Sequence, residues 1–177
     1  MTVLFVCTAN IARSPYAERR ARFLLGDASA PDSGPQEVSS AGVPGVPGRS
    51  MDDLLAAELR TRGGDPGGHV SRSVTVDLIE QADLVLTFEF TQHMRLIDLA
   101  PHRAHCIFGI RQFAAAASRA DGVGDLADRV GAIAERTAPD SMSADVADPH
   151  RRGRRTARAC ADEIDVLLAD ILPVIGG

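Results

Sequence analysis

The sequence has no tryptophan and only one tyrosine among its 177 residues. Proteins that bind single-stranded nucleic acids stack the bases on aromatic side chains, and this chain offers few of them. Its formal net charge of −5 points the same way, because nucleic acids and membrane surfaces attract basic proteins. We therefore expect neither a nucleic acid nor a membrane as a partner.

Long apolar runs and paired cysteines are missing as well. No apolar run approaches the roughly 20 residues that cross a bilayer. The 3 cysteines, Cys7, Cys106 and Cys160, are odd in number and lack C-x-x-C spacing, which disfavours a disulfide framework and favours the reducing cytoplasm. The cysteines and histidines show no metal-ligand spacing, so we expect no metal and no cofactor.

The chain does contain enough apolar residues, 45% of the total, for one domain with a substantial core. Strand patterns alternate with helical patterns, and the predicted strands cover residues 2–6, 37–42, 83–87 and 104–108. This alternation predicts an α/β fold, a single doubly wound domain over residues 1–177. Its central parallel four-stranded sheet would carry helices on both faces. In such sheets, ligands bind beyond the carboxyl ends of the strands.

Helical periodicity completes this pattern. The longer predicted helices cover residues 14–25, 51–63, 91–99 and 152–172. Ser14 suits the N-cap of the first helix, with Pro15 at the first helical position, where no backbone N–H is required. Glycine and proline predict irregular loops at residues 26–35 and 43–50.

The stretch "VLFVCTANIARSP" carries the chemistry. Cys7 directly follows the first strand, Arg13 completes a C-x5-R spacing, and Ser14-Pro15 begins a helix. Curled backbone amides beside a helix N-terminus form an anion site, and the arginine fork suits two oxygens of a tetrahedral oxyanion. A thiol in that field is favoured as the thiolate, a nucleophile suited to phosphorus. From the spacing alone, the alternative is a cysteine that is merely part of the core.

Five landmarks, in order along nearly the whole chain, resemble the low-molecular-weight protein tyrosine phosphatase family. They are the loop just quoted, "SSAG" at residues 39–42, "GGH" ending at His69, "ADLVLT" at residues 82–87, and Asp148-Pro149. The resemblance implies the phosphotyrosine phosphatase I fold, which is flavodoxin-like. It also implies phosphomonoester hydrolysis through a cysteinyl-phosphate, with a phosphorylated protein, bearing phosphotyrosine, as the substrate.

The resemblance also assigns roles to residues. Cys7 would be the nucleophile, Arg13 the phosphate clamp, and Asp148 the general acid and then the general base. Asp145 and Asp140 are alternatives for the acid. The substrate-binding loop would comprise Thr8, Ala9, Asn10, Ile11, Ala12 and Ser14.

The same resemblance gives supporting roles to Ser14, Ser40 and His69. Ser14 would hydrogen-bond the thiolate. Asn10 would adopt a left-handed conformation, which asparagine tolerates, and Ser40 and His69 would brace it.

The sequence departs from the family pattern at several positions. Ala9 replaces a glycine, which is a strain if that position needs a positive φ, and Ala12 replaces a second loop cysteine. The pocket walls lack aromatic residues, since Val46 or a neighbour replaces one and His150 follows Asp148-Pro149 where the family has tyrosine. The segment before Asp148 is longer and predicts an extra helix beside the pocket. The basic run at residues 150–158 is either a solvated helix face or an attraction for acidic substrates.

Two other functions share this fold and loop. A thiol-dependent arsenate reductase would need further cysteines as a relay, and a degenerate phosphatase would only bind a phosphorylated partner. Within the phosphatases, Ile11 favours phosphotyrosine, since relatives that act on phosphoarginine carry threonine there. The sequence does not select the physiological substrate or the oligomeric state.

Overall fold

A computed structural model of the chain describes residues 1–28, 37–119 and 126–176. Its strands are β1 (Thr2–Cys7), β2 (Glu37–Gly42), β3 (Leu84–Thr87) and β4 (Ile107–Gly109). Its α-helices are α1 (Arg13–Ala28), α2 (Asp53–Thr61), α3 (Val76–Gln81), α4 (Phe90–Leu99), α5 (Ile110–Ala117), α6 (Leu126–Arg136) and α7 (Arg154–Gly176).

The strands form one parallel sheet in the order β2-β1-β3-β4. The chain leaves β1 toward β2 on one side and then crosses to β3 on the other, so the direction of winding reverses at β1. Ligands of doubly wound sheets bind at this reversal, beyond the carboxyl ends of the strands. The loop that follows Cys7 lies there, level with Gly42 at the end of β2.

Helices cover both faces of the sheet, because alternate residues of β1 point in opposite directions. Val3 and Phe5 pack into a core built with α1, α2, α5, α6 and α7. Leu4 and Val6 pack on the other face, with α3 and α4. All four residues are at most 1% exposed. The predicted α/β fold with a central parallel sheet is confirmed.

Most predicted boundaries differ from the structure by one to four residues, and two differences matter for the fold. The strand predicted at residues 104–108 is instead the end of a 3-10 helix, Pro101–Cys106, followed by the short β4. Pro101 begins that 3-10 helix, and only three residues of β4 pair with β3. The first helix begins at Arg13 and includes Gly26, so Ser14 lies inside the helix and is not its N-cap. Of the loop predicted at residues 26–35, the part from residue 29 onward lies outside the described residues.

The C-terminal half contains an additional helix, as the sequence predicts, but not beside the pocket: Val130 and Ala134 of α6 line a cavity with Met1 and Asp83, at the end of the strands opposite to Cys7. Helix α6 packs against α5 and α7, and it places Ile133 in the core. The last helix, α7, begins after Gly153, which has a φ of +83°, and it continues through Pro173.

Within the described ranges, no helix combines the length and the apolar character needed to cross a membrane. The same ranges contain no group of three or more histidine, cysteine or acidic side chains placed to share a metal ion. All three cysteines are free and buried.

Candidate active site

The loop between β1 and α1 is held by its carbonyl oxygens. Those of residues 7–12 all accept hydrogen bonds, at 2.8 to 3.2 Å. The donors are, in order, the N–H groups of Val43, Gly45 and Val46, the ring Nε2 of His69, and the N–H groups of Asp52 and Tyr16. In a planar trans peptide the next N–H points away from the carbonyl. The amides of residues 8–13 therefore face the inside of the loop and form a cradle for an anion.

Asn10 fixes the shape of this loop. Its φ is +58°, and it is fully buried. Its Nδ2 donates to Ser14 Oγ at 3.0 Å and to Ser40 Oγ at 2.8 Å, while its Oδ1 accepts from the N–H of Arg72 at 2.9 Å. His69 holds the carbonyl of the same residue, so its Nε2 must carry a proton.

Ala9 carries none of the strain that the sequence suggested. Among the described residues, the non-glycine residues with positive φ are Asn10 and Arg151. The left-handed position of the loop is thus occupied by asparagine, which tolerates it, and alanine at position 9 needs no special explanation.

The thiol of Cys7 lies at the base of the cradle. It is 2% exposed, and its Sγ lies 3.0 Å from Ser14 Oγ. Ser14 Oγ accepts from Asn10, which leaves its own proton free to point at the sulfur or at the carbonyl of Ala41, 3.2 Å away. A thiolate can only accept, so Ser14 would donate to it.

Arg13 is held rigidly beside this thiol. It is 1% exposed, and its Nη1 donates to the carboxylate of Glu89 and, at 2.9 Å, to the carbonyl of Val146. Its Nε has no acceptor among the described residues. Burial lowers the pKa of Arg13, but the negative charges of Cys7, Asp148 and Glu89 outweigh it and raise the pKa overall. The guanidinium therefore remains a fixed cation.

Of the three candidate acids, Asp148 lies nearest to these groups. Its Oδ2 is 3.4 Å from Arg13 Nη2, and its side chain is 44% exposed. Asp145 instead accepts from the N–H of Phe90 at 2.7 Å, and Asp140 accepts from Gln112 Nε2 at 2.6 Å. The carboxylates of Asp145 and Asp140 therefore bind groups other than Arg13.

Three further polar residues support the site and were missed in the sequence. Gln92 donates to Thr8 Oγ1 at 3.0 Å, and Glu89 binds Arg13. Both follow β3 closely, at the edge where parallel strands end, and that position was the available signal. Glu18, which accepts from Ser40 Oγ, gave no signal beyond lying four residues after Ser14 on the same helix face.

Val46, His150 and Asp52 lie around the mouth of the loop. Val46 is 43% exposed, and its N–H binds the carbonyl of Ala9. His150 Nδ1 lies 3.3 Å from Asp52 Oδ2, and the N–H of Asp52 binds the carbonyl of Ile11.

Comparisons with known proteins agree with this geometry. The family model "Low molecular weight phosphotyrosine protein phosphatase" matches residues 2–129. The chain is 32% identical over 100 residues to the low molecular weight protein-tyrosine-phosphatase Etp of Escherichia coli K12, and 33% identical over 95 residues to Ptp of Acinetobacter johnsonii. These matches cover 56% and 53% of this chain, and 62% and 61% of the relatives, which is less than two thirds of their length.

Solved structures extend the likeness to the whole fold. The low molecular weight protein tyrosine phosphatase of T. tengcongensis matches with a TM-score of 0.76 at 26% identity, over 98% of both chains. The YwlE arginine phosphatase of Geobacillus stearothermophilus matches with a TM-score of 0.71 at 24% identity, over 97% of this chain and 90% of that one. Asp148 lies beyond the residues that the family model matches.

Proposed function

Because the chain belongs to the low molecular weight phosphotyrosine protein phosphatase family, we propose that it hydrolyses phosphotyrosine-type phosphomonoesters through a cysteinyl-phosphate intermediate. Cys7 is the nucleophile, Arg13 the phosphate clamp and Asp148 the general acid and base. The substrate is a phosphorylated protein.

One observation carries this proposal. All the loop carbonyls are anchored outward, so six amides and one buried guanidinium surround a single thiol. Such a set of donors, fixed before the substrate arrives, stabilises the negative charge that spreads over phosphoryl oxygens in the transition state. The unpaired Nε of Arg13 provides one more donor for these oxygens.

The reaction proceeds in two displacements. In the first, the Cys7 thiolate forms an S–P bond, the bond from phosphorus to the leaving oxygen breaks, and Asp148 donates a proton to that oxygen. In the second, Asp148 takes a proton from water, the water oxygen bonds to phosphorus, and the S–P bond breaks to release phosphate. Ser14 donates to the sulfur whenever it carries negative charge, which assists its departure in the second step.

The proposal is tested by metal-free hydrolysis of an aryl phosphate. We expect Cys7→Ser to lose turnover completely and Asp148→Asn to lose a factor of about 10² to 10⁴ in kcat, the range of general acid–base catalysis. Asp145→Asn is the matched control, because it retains the oxygen that binds Phe90, and it should remain within a few-fold of the wild type. Full activity of Asp148→Asn would refute the assignment of the acid.

The same assay separates phosphotyrosine from phosphoarginine. Three YwlE structures of 22 to 24% identity share the fold, and that degree of identity supports the fold alone. Ile11 presents an apolar side chain, partly exposed, where phosphoarginine-directed relatives carry threonine. Turnover of phosphoarginine peptides without turnover of phosphotyrosine peptides would overturn the tyrosine assignment.

The environment of the other cysteines argues against arsenate reduction. Cys160 is 4% exposed, and burial raises its pKa to about 12. Cys106 is also buried, and its Sγ donates to the carbonyl of Arg103 at 3.1 Å. A thiol relay needs accessible thiolates, so neither residue suits one.

A further inference from the structure

A group of arginines follows the candidate acid closely in the chain. We call it the arginine rim, and it consists of Arg151, Arg152, Arg154, Arg155 and Arg158. All five side chains are exposed, and none of the described residues forms a hydrogen bond or ion pair with their guanidinium groups. Elsewhere the arginines are often paired, as Arg62 is with Glu58 and Asp162. The rim is therefore a local excess of positive charge on a chain whose net charge is −5.

The rim follows two residues, Asp148 and His150, that lie at the phosphate cradle. The N–H of His150 binds Asp148 Oδ1 at 3.2 Å, and the His150 ring lies 3.3 Å from Asp52, which holds the carbonyl of Ile11. Two turn residues with positive φ, Arg151 at 60° and Gly153 at 83°, then lead the chain into α7. Arg151, the first residue of the rim, is thus three positions after Asp148, whose carboxylate contacts Arg13.

The fold itself gains nothing from these charges. The first turn of α7 contains no acidic residue. Cations near a helix N-terminus are unfavourable to the helix dipole, and like charges four residues apart, such as Arg154 and Arg158, repel each other. A role in binding accounts for a cluster that lowers the stability of the helix.

The chemistry of the rim points to an acidic polypeptide. Guanidinium groups bind carboxylates through two parallel hydrogen bonds. Residues 150–158 include no large exposed apolar side chain that could enter a lipid surface. With a phosphorylated residue in the cradle, an extended substrate advances about 3.3 Å per residue. Its next few residues on one side then reach the rim.

We propose that the arginine rim binds acidic residues flanking the phosphorylated residue of protein substrates and so selects acidic phosphoproteins. This inference rests on the proposed function and specifies its substrate class. Exposed ion pairs are individually weak, so selection comes from several of them acting together.

The test compares two phosphotyrosine peptides that differ only in their flanks, which are Asp and Glu in one and Asn and Gln in the other. We expect the wild type to favour the acidic peptide by roughly tenfold in kcat/KM at low ionic strength, and less in high salt. The double variant Arg154→Gln/Arg158→Gln should lose most of this preference. The double variant Arg95→Gln/Arg119→Gln makes the same change in net charge elsewhere, in α4 and in the turn after α5, and should keep the preference.

An aryl phosphate without flanking residues separates this inference from the proposed function. If the wild type hydrolyses it but treats the two peptides alike, the rim proposal fails and the phosphatase assignment stands. If both double variants lose the preference equally, the preference for the acidic peptide is due to net charge, and the rim proposal fails. Rim-dependent binding to phosphatidylserine vesicles or to duplex DNA, without a peptide preference, would assign the rim to those partners and overturn the proposal.

Discussion

At the scale of single residues, the cradle depends on how Asn10 is held. Its side chain uses both amide hydrogens and its oxygen on three different segments of the chain: Ser14 in α1, Ser40 in β2 and the N–H of Arg72. Ser40 in turn donates to the buried carboxylate of Glu18. A left-handed residue that is tied on every side can persist without a ligand, so the loop is formed before the phosphate binds.

We predict that Ser40→Ala weakens this arrangement. The substitution leaves an Asn10 hydrogen and a Glu18 oxygen without their partner, which costs about 1 to 3 kcal/mol when such groups are buried. Turnover of the aryl phosphate should fall several-fold, because the amides of the loop are then less firmly placed. Urea unfolding gives the stability, and Ser39→Ala is the control, since its hydroxyl makes no hydrogen bond with the described residues. Equal effects of the two substitutions would contradict the prediction.

The sequence could predict which residues gather at the site, but only in part why they do so. Cys7 and Arg13 stand in one loop, and their roles follow from spacing and from the family resemblance. Glu89 was missed because its position just after a strand indicates the ligand-binding edge of the sheet but not its partner. Glu89 supports the site by binding Arg13, which is 76 positions away in the sequence, and the two residues are close only in the folded chain.

At the scale of secondary-structure elements, the end of β2 supports the loop directly. A Cβ added to Gly42 would lie 2.7 Å from the carbonyl oxygen of Thr8, and 2.8 Å from backbone atoms of both Ala9 and Asn10. These atoms belong to the backbone and cannot swing aside. The glycine that ends "SSAG" is therefore required by the close approach of the strand to the cradle.

We predict that Gly42→Ala displaces the loop. The collision should lower the free energy of unfolding by about 1 to 3 kcal/mol, as overpacking does. It should lower kcat/KM by roughly 10²-fold, because a shift of 1 Å is that harmful to catalysis. Thermal unfolding and the aryl phosphate assay measure the two effects.

Gly26→Ala provides the contrast. A Cβ at Gly26 meets nothing within 4 Å, and the residue lies inside α1. Alanine there should stabilise the protein by about 0.5 to 1 kcal/mol and leave catalysis unchanged. Unchanged activity of Gly42→Ala would remove the steric explanation.

Element boundaries were less predictable than the elements themselves. The turn signal of Ser14-Pro15 suggested a helix beginning there, but the helix begins at Arg13, because Ser14 is drawn inward by Cys7 and Asn10. The apolar residues near Cys106 suggested a longer strand, but only Ile107 to Gly109 find partners in β3. The second difference reflects the 3-10 helix that begins at Pro101 and occupies the residues before β4.

At the scale of the whole molecule, stability should depend on pH through His93. Burial lowers the pKa of His93, although the nearby Asp140 acts to raise it. The unfolded chain then binds the proton more readily than the folded one. The contribution of neutral His93 to the stability is fully present above its unfolded pKa of about 6.5. It declines as the pH falls toward the lower pKa of the folded state.

We therefore expect wild type to lose more stability than His93→Gln between pH 7.5 and pH 5.5. Urea unfolding at the two pH values measures the loss. His105→Gln, at an exposed site, is the control and should behave like the wild type. An equal loss in wild type and His93→Gln would contradict the prediction.

The parallel sheet could be predicted from the sequence more readily than the details of packing. Alternating strands and helices require parallel connections, and ligands of such sheets bind beyond the carboxyl ends of the strands, where the loop after β1 lies. The partners of Arg13, by contrast, include the carbonyl of Val146 and the carboxylate of Asp148. Both lie more than 130 positions away in the sequence and reach Arg13 only in the folded chain. No local pattern encodes these contacts.

The anchoring of the loop carbonyls has a consequence for how the protein is made. Each of the outer anchors, from Val43 to His69, follows the cysteine along the chain. Since synthesis proceeds from the N-terminus, Cys7 leaves the ribosome before its anchors, and its cradle closes only after about 60 further residues have emerged. All strand pairings are parallel and distant in sequence, which makes such closure slow. A nascent chain therefore carries an unshielded thiol for a time, and the proposed general acid joins the site only when the segment bearing Asp148 has folded back.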